Sequence, residues 1–98
     1  MAFAAFGTFR AADGAHDGLV AHLLRAAELL ASDAACRQYI VGTPSDDEVS
    51  VFEVWSDESA HAASLEREDV RALIAEARPL IAGFGGQTRL TVHGGKGL

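Results

Sequence analysis

The residues of this chain that can do chemistry without help gather around one stretch. His61 carries an imidazole, which titrates near neutrality and can take a phenolic proton. Trp55 ends the apolar run just ahead of it and forms either an aromatic wall that stacks on a planar molecule or an ordinary core side chain. The Tyr39 hydroxyl either donates to a substrate oxygen or satisfies a backbone carbonyl. Glu53 alternates with apolar neighbours, so its carboxylate points where charge is costly unless paired or protonated, and Arg37 and Arg89 are its expected partners. His61 itself reads either as the base or as an exposed helix residue.

The other reactive types offer less. His22 lies beside an apolar helical stripe with His16 one to two turns before it, so either looks into a space between helix and sheet or is merely half-buried; His93 belongs to a subunit seam or to solvent. No histidine pair is spaced His-x-His or i, i+4, and His16 and His22 stand roughly 120° apart around a helix, so no metal site is expected. Cys36 is the single cysteine. It allows no internal disulfide and no thiolate metal cluster, and it suits a reducing cytoplasm. With no histidine near it in sequence, it reads as inert packing. Gly83-Phe84-Gly85-Gly86 follows a helical pattern instead of opening one, and Gly94-Gly95-Lys96-Gly97 lacks the strand and helix of a phosphate-binding loop.

The elements that must position these groups are legible from spacing. Met1–Arg10 alternates Phe with small residues and closes on Ala11-Ala12-Asp13-Gly14, a strand and its turn. Leu19, Leu23, Ala26 and Leu30 form one narrow stripe of a helix over Ala15–Ala31, with Asp13 or Asp17 placed to cap its start. Cys36–Val41 is a short strand, Gly42–Asp47 a surface turn and Glu48–Trp55 the clearest strand of all. Ser56-Asp57-Glu58 starts a helix that runs through Ala60 to Glu66. Val70, Leu73, Ile74, Ala77, Leu80 and Ile81 form a second stripe that contains Pro79, which makes the last turn irregular, and Gly83, Gly85 and Gly86 end it. Gln87–His93 is the final strand and Gly94–Leu98 a flexible tail.

Strand, helix, strand, strand, broken helix, strand is the order of a split βαβ, or ferredoxin-like, α+β domain with a four-stranded antiparallel sheet. A chain of 98 residues makes one such domain and a marginal core. The strand Glu48–Trp55 puts Val49, Val51, Glu53 and Trp55 on one face and Ser50, Phe52 and Val54 on the other, and one helical layer covers only one of these. A second copy of the chain is the economical cover for the other, which predicts a homodimer closed into an α+β barrel. Net charge of −6 and scattered basic residues exclude nucleic acid as a partner. The longest uncharged stretch, Pro79–Thr88, is too short to span a membrane, and Met1–Phe9 lacks the basic region of a signal peptide.

On Glu53-Val54-Trp55-Ser56-Asp57-Glu58-Ser59-Ala60, on Cys36–Val41 and on Val70–Ile74, the chain resembles the antibiotic biosynthesis monooxygenase family, small dimeric α+β barrel proteins that include quinol monooxygenases. The family shows a strand ending E-x-W, a polar helix cap, then alanine and a later histidine. The resemblance implies oxidation of an aromatic or quinol-type small molecule by dioxygen with no flavin, haem or metal cofactor, and it points to His61, Trp55 and Tyr39 as site residues. The physical logic is that deprotonating such a substrate gives an anion able to reduce oxygen, so the protein needs a base, a dry pocket and donors for the developing charge. One departure stands out: the family's usual histidine positions hold Ser64 and Asp69 here, and His61, one turn before Ser64, is the candidate replacement. A non-catalytic small-molecule binding or stress-response dimer is the alternative on the same scaffold. Haem degradation is a further one, although the place of its axial histidine holds Asp69.

Overall fold

In a computed structural model describing residues 1–98, the chain forms strand β1 (Ala2–Ala11), helix α1 (His16–Leu30), strands β2 (Cys36–Ser45) and β3 (Glu48–Trp55), helices α2 (Glu58–Ser64) and α3 (Glu68–Ala77), and strand β4 (Ile81–Val92). The four strands make one antiparallel sheet in the order β2-β3-β1-β4, the ferredoxin-like arrangement that the element order predicts. The first and third strands in sequence are therefore the inner pair, with Phe3 opposite Trp55 and Ala5 opposite Glu53.

The helices all lie over the face that carries Phe3, Val49, Val51, Glu53 and Trp55. Ala11, Leu19, Leu23, Val49 and Val51 form one buried cluster, and Phe3, Leu30, Trp55 and Val70 form a second beside it. The 4-3-4 stripe of α1 thus delivers its leucines to both clusters. Trp55 and Leu19 are wholly buried. The opposite sheet face has no helix over it: Phe6, Ile40 and Leu90 are 43%, 54% and 42% exposed. No helix is long and apolar enough to cross a membrane.

Several element boundaries differ from the sequence reading, each for a physical reason. β2 continues through Gly42-Thr43-Pro44-Ser45 and leaves only Asp46-Asp47 as the turn, because it stays paired with β3 to Ser45–Glu48 across an irregular register. Helix α3 stops at Ala77; Arg78–Leu80 is a single 3-10 turn around Pro79, and Ile81 is already extended. Leu80 and Ile81 still pack on the first core cluster, so the apolar periodicity located their burial but not their element. β4 then runs through the glycines expected to end a helix. Gly7 faces Gln87 and Phe9 faces Phe84, so Gly85 and Gly86 together oppose Thr8 in a bulge. A Cβ on Gly85 would lie 3.2 Å from the Thr8 side chain, which is why glycine serves there. Neither Asp13 nor Asp17 caps α1: its N-cap is Ala15, without a side-chain hydrogen bond, and Asp17 only complements the helix dipole from the first turn. Asp57 does cap α2, accepting from the Ala60 N–H at 2.7 Å.

Candidate functional site

Glu53 sits where the β3 alternation puts a charge beneath the helical layer, and its partners are not the expected arginines. Oε1 accepts from the Trp55 indole N–H at 3.1 Å and lies 3.9 Å from His61 Nε2. Arg89 instead pairs with Glu58 and lies over the Phe3 ring, and Arg37 is exposed. The reason is geometric. Trp55 is two residues along the same strand face, and the tight Asp57-capped start of α2 folds His61 back over it. The His61 ring meets the Trp55 ring edge-on at 5.6 Å between centroids and leans on Phe3 at 5.3 Å. Burial pushes the Glu53 carboxyl above its ordinary range, while the Trp55 hydrogen bond and His61 pull it partly back.

Tyr39 is directly opposite Glu53 across the β2–β3 ladder. Burial, then the charge of Glu53, pushes its hydroxyl well above the ordinary phenol range, so it stays protonated and acts as a donor, not as a base. It makes no hydrogen bond to a backbone carbonyl, and no buried side-chain polar atom in the molecule lacks a partner, so the hydroxyl opens onto free space. Tyr39 lines a cavity of about 370 Å³ between the sheet and helices α1 and α3. Leu23, Leu30, Val70 and Leu73 line it together with the exposed Leu65, Ile74 and Phe84, and Glu53 is its only carboxylate and Arg78 its only guanidinium. The volume lies in the ~300–1,000 Å³ range of small-molecule sites.

His22 borders the same cavity, as its place beside the α1 stripe suggests. Its Nε2–H donates to the Leu73 carbonyl at 2.8 Å and ties α1 to α3 across the opening. His16 instead meets the Glu48 carbonyl at 3.1 Å, and His93 is exposed on the strand end. Ser64, at the position where the family resemblance leads one to expect histidine, also lines the cavity, with its hydroxyl donating to the His61 carbonyl at 2.6 Å. His61 does not line it. It faces a smaller cleft of about 160 Å³ bordered by Gln87, Thr88 and Arg89, with Glu53 and Phe9 common to both spaces.

Of the residues picked out from sequence, the structure therefore brings His61 and Trp55 into contact, sets Tyr39 on the neighbouring strand, and joins all three through Glu53. Trp55 is fully buried, so its indole offers no open face for stacking; what it offers is an N–H that holds the carboxylate. Glu53 had been expected to form a structural ion pair with arginine. Its alternation with apolar neighbours is the sequence signal that this carboxylate lies under the helices and needs a partner. Cys36 is a weak donor to the Gln38 carbonyl, and burial followed by the charges of Glu53 and Asp33 pushes its thiol up to about 11, which keeps it unreactive. No three His, Cys, Asp or Glu side chains converge as metal ligands do.

The antibiotic biosynthesis monooxygenase family matches over residues 2–76. Among solved structures, a candidate antibiotic biosynthesis monooxygenase from Chloroflexus aurantiacus J-10-fl is similar at 33% identity and a TM-score of 0.87, over 97% of this chain and 96% of that one. Another from Deinococcus radiodurans shares the fold at 18% identity and a TM-score of 0.82, over 95% and 94% of the two chains. SnoaB, a cofactor-independent oxygenase from Streptomyces nogalater solved in a mutant form, shares it at 15% identity and a TM-score of 0.80, over 97% and 96%. No curated protein matches.

Proposed function

That this chain belongs to the antibiotic biosynthesis monooxygenase family is the premise from which we propose a cofactor-independent oxygenase acting on an aromatic or quinol-type small molecule. The observation that carries the reading is the apolar cavity lined by Tyr39, whose hydroxyl has no hydrogen-bond partner, and by a mostly buried carboxylate, Glu53, that lies beside an imidazole. Fold alone would not separate oxygenase from binding protein. The structural likeness to SnoaB, described as a cofactor-independent oxygenase, supports the enzymatic choice.

In this reading an anthrone or phenol enters between α1, α3 and the sheet. The Glu53–His61 pair removes a proton, and the Tyr39 hydroxyl donates to the substrate oxygen as negative charge grows on it. Trp55 positions the pair from the core. The substrate anion gives an electron pair to dioxygen to form a C–O bond, and the peroxide takes up a proton. Collapse of the hydroperoxide leaves one oxygen atom in a new carbonyl and releases the other as water, so that overall the substrate loses two hydrogens. The apolar walls keep bulk water from the anion.

The open sheet face supports a homodimer in which a second copy covers Phe6, Ile40 and Leu90. The lone Cys36 supports a reducing, cytoplasmic setting. Oxygen uptake with a panel of anthrones and dihydroquinones tests the chemistry. Uptake above the autoxidation blank that falls in Tyr39→Phe and His61→Ala is the expected result; binding of the same compounds with no uptake by the wild type favours the non-catalytic binding dimer.

A further inference from the structure

Glu53 is the one ionisable group that borders both spaces, the apolar cavity lined by Tyr39 and the cleft lined by His61, with Phe9 the only other residue common to the two. Its two oxygens are used unequally. Both protein contacts, with the Trp55 N–H and with His61, fall on Oε1, whereas Oε2 makes no hydrogen bond and is not sealed from the open spaces. An indole N–H can only donate, so in the resting site it occupies Oε1 and leaves Oε2 as the oxygen open to a substrate proton. None of the other polar side chains of the cavity matches this free carboxylate oxygen as a proton acceptor. Ser64 bonds to the His61 carbonyl, His22 uses its Nε2–H on Leu73, the Arg78 guanidinium can only donate, and the Tyr39 hydroxyl, though unbonded, keeps its proton.

We propose that Glu53 is a catalytic residue of this site, its Oε2 taking the substrate proton in the cavity, and that His61 passes that proton from the carboxyl to water in the cleft. The inference rests on the oxygenase reading and deepens it by separating the group that meets substrate from the group that meets solvent. In the first step the substrate C–H or O–H bond breaks, an O–H bond forms on Glu53, and the electron pair stays on the substrate anion. In the second, the carboxyl turns about its Cγ–Cδ bond so that the protonated oxygen takes the place of Oε1 beside His61. Nε2 takes the proton, and the imidazolium releases it to water, which restores both groups before the next turnover. The 3.9 Å separation of Oε1 and Nε2 closes to hydrogen-bond length with a shift of about 1 Å, and such contacts commonly tighten only when substrate is bound. Burial that raises Glu53 moves it towards the operating pH, where a carboxylate is a more effective base. Cleft side chains such as Gln87, Thr88 and the exposed Arg89 give the proton a wet exit that the apolar cavity does not.

Oxygen uptake with anthrone and a naphthohydroquinone as probes decides the assignment, using wild type, E53Q and H61A with kcat and KM separated. E53Q preserves size and can still accept the Trp55 hydrogen bond, so a fold comparable to wild type in a thermal melt is expected. Its kcat falls by ~10²–10⁴-fold with KM changed little, the loss typical of a removed general base. H61A loses less, and added imidazole restores its rate through the open cleft, an effect that a purely structural role would not produce. E53Q with kcat within roughly threefold of wild type, or with only KM raised, overturns the role of Glu53 and leaves the oxygenase reading standing. A slow H61A that imidazole does not restore overturns the relay. No uptake by wild type above the blank overturns the reading and this inference together.

Discussion

The two faces of the sheet invert the ordinary rule of burial in opposite ways. The face under the helices holds Trp55 at zero exposure, and within that layer it keeps a carboxylate, Glu53. The bare face carries no such charge in its middle. It sets Ile40, Phe52 and Phe6 side by side across β2, β3 and β1, with the two Phe rings 6.3 Å apart, and leaves Ile40 and Phe6 substantially exposed. A single exposed apolar residue means little, but a row of them across three strands is a surface waiting for cover. A buried carboxylate without a cation in hydrogen-bond contact is likewise a cost that packing alone does not require. Each face departs from its simplest composition where something outside the monomer is expected: a partner on one side, a small molecule on the other.

Charging the bare face is the strongest way to break this comparison. Ile40→Asp adds a carboxylate that the isolated chain keeps in water, so monomer stability is expected to change by no more than ~0.5 kcal/mol. In a two-fold interface the substitution occurs twice, and at ~2 kcal/mol for each central position the dimer is weakened by about 4 kcal/mol, roughly a thousandfold. Light scattering coupled to gel filtration at low micromolar protein is expected to give twice the 10.3 kDa chain mass for wild type and the single mass for the variant. A wild-type mass of one chain removes the partner from the bare face. The covered face responds through folding instead. Trp55→Ala removes a wholly buried side chain that touches Phe3, Leu30 and Val70, and is expected to cost about 3–5 kcal/mol in chemical denaturation. Trp55→Phe keeps most of that packing but takes away the Glu53 donor, so a small stability loss with a large loss of uptake separates the two duties of the indole.

Much of this contrast is written in period-two alternation. Val49, Val51, Glu53 and Trp55 announce one face and Ser50, Phe52 and Val54 the other, and the strand order follows from the elements between them. Glycine ends helices and also fills bulges, and nothing within Gly83–Gly86 tells which; the Thr8 side chain that would crowd a Cβ lies on another strand. The site divides in the same way. That Glu53 needs a partner is a local property of β3, visible in its neighbours. That the partner is His61 depends on how sharply α2 folds back from Trp55, and that Tyr39 stands opposite depends on the β2–β3 register. Likewise, Ser64 and His61 lie one helical turn apart in sequence, yet they face different spaces, one the cavity and the other the cleft.

The finest probe of the contrast is the pH dependence of the cost of keeping Glu53 under the helices. Its carboxyl is raised above the ordinary 4.5, chiefly by burial, so the folded chain holds that proton more tightly than the unfolded chain does. Folding therefore has its full support from this group below pH ~4.5 and loses it as pH rises through the raised folded value. Glu53→Gln stays neutral throughout and does not suffer that loss. The variant is expected to match wild type in acid and to be modestly more stable at pH 7, as urea midpoints measured at several pH values would show. A gain in stability joined to a loss of turnover is what a strained functional carboxylate produces. If Glu53→Gln instead destabilises the chain more at pH 7 than at pH 4, the carboxylate is there to hold the fold, and the covered face needs no ligand to explain it.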